Sequence, residues 1–152
     1  MPEHERFRLE DFDDTIREVL DSGGEFTIFP RGTSMLPLIV QGRDSVALVK
    51  ADTLRRGDIA FYKRSGGEFV LHRIVGEKDG TFTMCGDNQL SLEFGIKPEQ
   101  VIARVEYITR KGKRISADRL SYRIYIALWR SFFIRRVYFK LRRVFNGGKK
   151  TG

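Results

Sequence analysis

The sequence predicts a mainly β, antiparallel domain with a short N-terminal helix and a basic, aromatic-rich helical tail. Three observations lead there. Short apolar runs recur between Glu25 and Thr109, separated by turns rich in Gly and Asp, the pattern of closely spaced strands. Apolar residues at three- and four-residue spacing precede that region, and a stretch without Gly or Pro follows it. Charge is also divided: residues 1–109 hold 14 Lys and Arg against 19 Asp and Glu, and residues 110–152 hold 14 against one, Asp118. The formal net charge of +8 therefore belongs to the tail, and the mildly acidic body argues against a nucleic-acid platform.

In chain order, residues 9–22 read as a helix. Leu9, Phe12, Ile16, Val19 and Leu20 line one face, Asp11, Asp13 and Asp14 suit its N-terminal dipole, and Ser22-Gly23-Gly24 ends it. Strands are expected over 25–30, 45–49, 58–63, 68–76, 81–85 and 101–109, coiled into a barrel or sandwich. Residues 110–116 read as a basic turn and boundary, and 117–145 as helical. The expected division is 1–24, an N-terminal helix; 25–109, a β-domain; and 110–152, the tail.

Several classes fall away. The lone cysteine, Cys85, cannot form an intramolecular disulfide and fits a reducing compartment. Met1 to Glu10 has no apolar run suited to a signal peptide, and no stretch of about 18 uncharged apolar residues suggests a spanning helix. Two histidines and one cysteine make no zinc site, and no glycine-rich phosphate loop is present, so neither metal nor cofactor is expected.

The chemistry-bearing stretch is Gly32-Thr33-Ser34-Met35-Leu36-Pro37, just after a strand-like run. Glycine and proline around a serine hold one hydroxyl at the lip of a sheet, or simply close a strand. A serine needs a base to act as a nucleophile. His4 lies in the polar N-terminus. His72 lies in the apolar run Phe69 to Val75, where it reads either as a base or as a satisfied core histidine. Cys85-Gly86-Asp87-Asn88 breaks another apolar strand, and Asp87 there suits orienting an imidazole or simply making a turn. Glu93 is a second carboxylate nearby. Asp44, Asp58 and Cys85 read as structural.

In order, these motifs resemble the superfamily of signal peptidase I and the LexA-type self-cleaving repressors, from about Phe29 to Val105. Ser34-Met35-x-Pro37 is similar to the nucleophile box, Arg56-Gly57-Asp58-Ile59 to a structural turn, and Gly86-Asp87-Asn88 to the Gly-Asp-Asn box. His72-Arg73 sits where the bacterial branch carries Lys-Arg and the endoplasmic-reticulum and archaeal branch carries His-Arg. The resemblance implies a coiled antiparallel β-fold with Ser34 as nucleophile, His72 as general base and Asp87 as its orienting acid. Glu93 stands near a further acid of the histidine branch, and the backbone N–H groups of Ser34 and Thr33 would form the oxyanion hole. The chain departs from the pattern in Gly32-Thr33, where signal peptidases carry Ser-Gly, and in the extra Arg43 between Gly42 and Asp44. It also has Glu93 in place of Asp, and a short Asp-rich helix is expected before the serine where signal peptidases carry a transmembrane anchor. No DNA-binding helix-turn-helix fits ahead of the β-domain.

The expected function is a serine endopeptidase that cleaves a leader, signal or precursor peptide. The alternative is a non-catalytic peptide-binding or scaffold module docked through its tail. For the tail, three partners are weighed. It packs on its own domain or a second copy, with Leu120-Ile124-Ala127-Ile134-Tyr138-Leu141-Phe145 as a buried seam; it lies on an anionic membrane surface through residues 117–145; or, least favoured, it binds nucleic acid or an acidic partner. The expected location is the cytoplasm, free or peripheral to a membrane.

Overall fold

The computed structural model describes residues 9–116 and 119–147; His4 lies outside them. Eight strands form one antiparallel sheet: β1 (Phe26–Ile28), β2 (Asp44–Lys50), β3 (Ile59–Lys63), β4 (Phe69–Lys78), β5 (Thr81–Cys85), β6 (Glu93–Ile96), β7 (Val101–Arg110) and β8 (Lys113–Ser116). Their order is β1-β2-β7-β3-β4-β5-β6, with β8 paired to β7 off this path. The long strand β7 is the spine, carrying β2 on one edge and both β3 and β8 on the other. The pairing register shifts at Ala47/Leu48, Phe61/Tyr62 and Ile74/Gly76. Such irregularities bend and twist a sheet, and the apolar side chains divide between two cores.

The larger core takes Val46, Leu48, Phe61, Ile102 and Ile108 from the sheet and Met35, Leu38 and Ile39 from the segment after β1. The N-terminal helix, α1 (Leu9–Asp21), closes it with Ile16 and Leu20. Gly23, at a φ of 79° that suits glycine, ends that helix, and the Gly24 N–H returns to the Val19 carbonyl at 2.9 Å. The smaller core, among Ala60, Tyr62, Ile74, Phe82, Met84 and Ile96, lies on the opposite face of β3 and β4.

The expected strands are present within one to two residues of their predicted limits. Three features differ. β6 was absent from the expectation. The basic segment 110–116 is a hairpin rather than a boundary: Lys111 and Gly112 both have positive φ, and β8 returns along β7. The sheet thus runs through Ser116, beyond the limit expected at Thr109.

The tail forms two helices, α2 (Leu120–Trp129) and α3 (Phe132–Gly147). The break needs no Gly or Pro. Arg135 donates from Nε to the Trp129 carbonyl at 2.6 Å, engaging a carbonyl at the end of α2. The expected seam is corrected here: Leu120, Ile124, Ala127, Leu141 and Phe145 face solvent, and only Ile134 and Tyr138 of that track are half-buried. The face that packs inward carries Tyr122, Trp129 and Arg135 instead.

These residues converge on a buried ion pair. Arg73 and Asp87 are both fully buried, and the guanidinium grips the carboxylate through Nε and Nη2, each at 2.7 Å. Tyr125 donates to the same carboxylate at 2.9 Å, and the Trp129 indole donates to the Asp87 carbonyl at 2.8 Å. Arg135, also buried, donates to the Gly86 carbonyl at 3.1 Å, and its Nη2 lies 3.6 Å from the carboxylate. Removing one partner from a buried pair strands the other charge in a medium that cannot solvate it. Asp87→Ala is therefore expected to cost about 3–5 kcal/mol of folding stability, measured by denaturant unfolding. A loss below about 1 kcal/mol, the range of exposed pairs, would show that the pair does not hold the tail to the sheet.

Candidate active site

Ser34 sits in a turn that begins as the chain leaves β1. Gly32, at a φ of 89°, reverses the backbone and donates its N–H to Gln41 Oε1 at 2.7 Å. The Leu36 N–H donates to the Thr33 carbonyl and the Ile39 N–H to the Met35 carbonyl, and the Leu36–Pro37 peptide is cis. Met35 is anchored in the larger core, which leaves Ser34 half-buried beside it. From the other side, the Asn88 N–H donates to the Ser34 carbonyl at 2.8 Å. Gly86 packs so closely that a Cβ there would lie 2.6 Å from the Ser34 carbonyl oxygen, so only glycine passes. The Gly86-Asp87-Asn88 loop thus fixes the serine turn through its backbone.

Ser34 and His72 line the same cleft of about 280 Å³, together with Gly32, Met35, Arg64 and Gln89. Among the described residues, Ser34 Oγ makes no hydrogen bond to the imidazole. The Ser34 and Thr33 N–H groups, read as an oxyanion hole, also have no backbone hydrogen bond among those residues.

His72 lies on β4 opposite Ala60 of β3, and Tyr62 is two residues further along β3 on the same face. The Tyr62 hydroxyl lies 3.3 Å from His72 Nδ1 and donates to Glu93 Oε2 at 2.8 Å. Glu93 is also held by Arg64, Nε to Oε1 at 2.9 Å and Nη2 to Oε2 at 2.8 Å. The Arg64 hydrogen bond holds the Glu93 carboxyl below its usual range, so it accepts only. A hydroxyl has one proton. With that proton on Glu93, Tyr62 offers a lone pair to Nδ1–H, and Nε2 is left as the basic nitrogen.

Burial is the largest influence on the His72 pKa and pushes it below 6.5; the Arg64 charge adds to this, while Glu93 and Asp87 oppose it. The imidazole is therefore neutral at neutral pH, the form that takes a proton.

The orienting role expected of Asp87 is corrected by this geometry. His72 and Arg73 are consecutive residues of a strand, so their side chains leave opposite faces of the sheet. Asp87 follows Arg73 to its face and spends its carboxylate on Arg73 and Tyr125. Glu93 pairs with Met84, which pairs with Ile74 in the His72 row, so the acid linked to the imidazole is Glu93. Tyr62 was missed altogether; its only sequence signal is a place in an apolar strand.

The other two turn carboxylates, Asp44 and Asp58, are engaged in local hydrogen bonds. Buried Asp44 accepts from the Val40 N–H and pairs with Arg43 and Arg110, and Asp58 accepts from the Arg55 N–H. The Cys85 thiol is pushed up in pKa by burial, unlike a reactive thiolate. No cluster of metal-ligand side chains occurs among the described residues.

Comparison with protein-family models, curated proteins and solved structures finds no match.

Glu93→Gln removes a charge that raises the His72 pKa and leaves Arg64 less compensated. The His72 pKa, followed by NMR titration of the ring, should start below 6.5 and fall further in this variant. A rise would mean that Glu93 is not coupled to the imidazole.

Proposed function

We propose that the chain is a serine endopeptidase with the nucleophile–base pair Ser34–His72, the imidazole being oriented by Tyr62 and Glu93. The observation that carries this reading is the placement of Ser34 in one cleft with a neutral, buried imidazole whose Nδ1 is occupied. The ordered motifs and their resemblance to signal peptidase I and LexA-type peptidases point the same way, with the histidine of the endoplasmic-reticulum and archaeal branch as base.

In the reaction, a peptide carbonyl enters the cleft and Ser34 Oγ attacks its carbon while His72 Nε2 takes the hydroxyl proton. The Ser34 N–H, with the neighbouring Thr33 N–H, stabilises the oxyanion; one such donor is worth about 3–4 kcal/mol in a serine peptidase. The imidazolium then protonates the leaving amine as the C–N bond breaks. Water attacks the acyl-enzyme with His72 again as base, restoring the serine and releasing the acid. Asp87 acts at a distance, through the loop that holds the Ser34 carbonyl.

The sheet offers a way to present substrate. β5 pairs with β4 only from Arg73 onward, so Phe69 to His72 has an unpaired outer edge among the described residues. An extended peptide added there brings its backbone alongside His72. An apolar cleft of about 600 Å³ between Phe12, Ile28, Phe29 and Phe61 shares Pro30, Arg31, Phe69 and Leu71 with the Ser34 cleft. It suits a large apolar side chain of the peptide.

The second reading is the non-catalytic peptide-binding module. What favours it is the missing hydrogen bond between Ser34 Oγ and His72. Catalytic hydrogen bonds often form only with substrate bound, so Ser34→Ala separates the two. For a substrate cleaved by the wild type, peptidase chemistry predicts a fall in kcat of at least about a thousandfold with peptide binding retained. Unchanged cleavage by the Ser34→Ala protein would end the peptidase reading.

A further inference from the structure

α2 and α3 each carry an exposed row of large apolar side chains. Leu120, Ile124 and Leu128 recur every four residues on α2, and Phe133, Val137 and Leu141 do so on α3. Leu120 is 71% and Phe133 76% exposed. Six large apolar side chains in two helical rows are more than the scattered exposure normal for a surface.

The residues beside these rows say what covers them. Arg136, Lys140 and Arg143, four and three residues apart, run along one border of the α3 row, and none has an ion-pair partner among the described residues. Residues 119–147 contain eight Arg and Lys and no Asp or Glu. A second copy packed on the apolar rows would bring two basic rows together with no acid in residues 119–147 of either copy to offset them. The body behaves oppositely: residues 1–109 carry an excess of acids, so only the tail is drawn to an anionic surface. No described helix is long and apolar enough to cross a membrane.

We infer that α2 and α3 dock the protein onto an anionic lipid surface, with the apolar rows of both helices among the upper acyl chains and the Arg136–Lys140–Arg143 row at the headgroups. The inference is independent of the chemistry at Ser34. Both helices are fixed to the loop after β5 through Trp129 and Arg135, so the two apolar rows are already formed and do not have to fold on contact.

The experiment is flotation of the full chain with vesicles of phosphatidylcholine alone and of phosphatidylcholine mixed with phosphatidylglycerol. The protein should float with the anionic vesicles only, and high salt should release it. Val137→Glu/Leu141→Glu should reduce the bound fraction about tenfold or more by placing charge in the apolar row of α3. Arg136→Gln/Lys140→Gln/Arg143→Gln should reduce it comparably, since each basic residue near such a surface contributes about fivefold. All these side chains are exposed, and thermal unfolding at the wild-type temperature would show the variants folded. Equal flotation with neutral and anionic vesicles, no flotation, or flotation indifferent to either variant would overturn the inference. So would a wild-type dimer in solution that the Val137→Glu/Leu141→Glu protein cannot form, because that row would then be a contact between copies.

Discussion

The Arg73–Asp87 ion pair is the constraint on which the arrangement of the other parts depends. Two fully buried charges survive only where hydrogen bonds replace the water they lost. That requirement recruits the Gly57 carbonyl, which accepts from Arg73 Nη1 at 2.6 Å, and the Tyr125 hydroxyl. The chain segments that answer it are far apart in sequence: the turn before β3, strand β4, the loop after β5, and α2. The Ser34 turn is tied to the same loop by Asn88. The aromatic tail is thus part of the domain's construction, and its opposite face remains free for another task.

The sheet then separates this structural charge network from the candidate chemistry. Neighbouring residues of β4 point to opposite faces. Arg73 enters the Asp87 knot, and His72 enters the Tyr62–Glu93–Arg64 chain. The separation matters electrostatically. A carboxylate bonded directly to the imidazole would raise its pKa, whereas a tyrosine hydroxyl between the two leaves burial as the larger influence and the ring neutral. Arg64 strengthens that bias by compensating Glu93 and placing positive charge near the ring.

Much of the fold was legible because its signals are local. The strand runs, their glycine turns and the α1 apolar face each specify their own element. β6 was not, since Glu93-Phe94-Gly95-Ile96 is short, interrupted by a glycine at positive φ, and held by pairing with β5. The charge of Lys113 and Arg114 makes residues 110–116 read as a basic turn and boundary; an edge strand is where such residues belong. The site was legible in its residues but not in their pairing. Ser34, His72, Asp87 and Glu93 all stood out, yet which acid serves the imidazole depends on the parity of β4 and on the β5–β6 register. Tyr62, identical in pattern to a core tyrosine, becomes visible only when β3 and β4 are placed side by side. The tail's inward face was misjudged for a similar reason. Apolar spacing nominated one track, whereas buried Arg135 and Trp129 follow the polar demands of Asp87.

The most direct measurement is the rate at which a fluorophosphonate labels Ser34, as a function of pH, in the wild type and in His72→Gln. A neutral His72 acting as base predicts selective labelling of Ser34, with a rate that rises to a plateau through a midpoint below 6.5, and loss of that limb with slow labelling in the variant. No labelling of Ser34, or a profile that His72→Gln leaves unchanged, would contradict it.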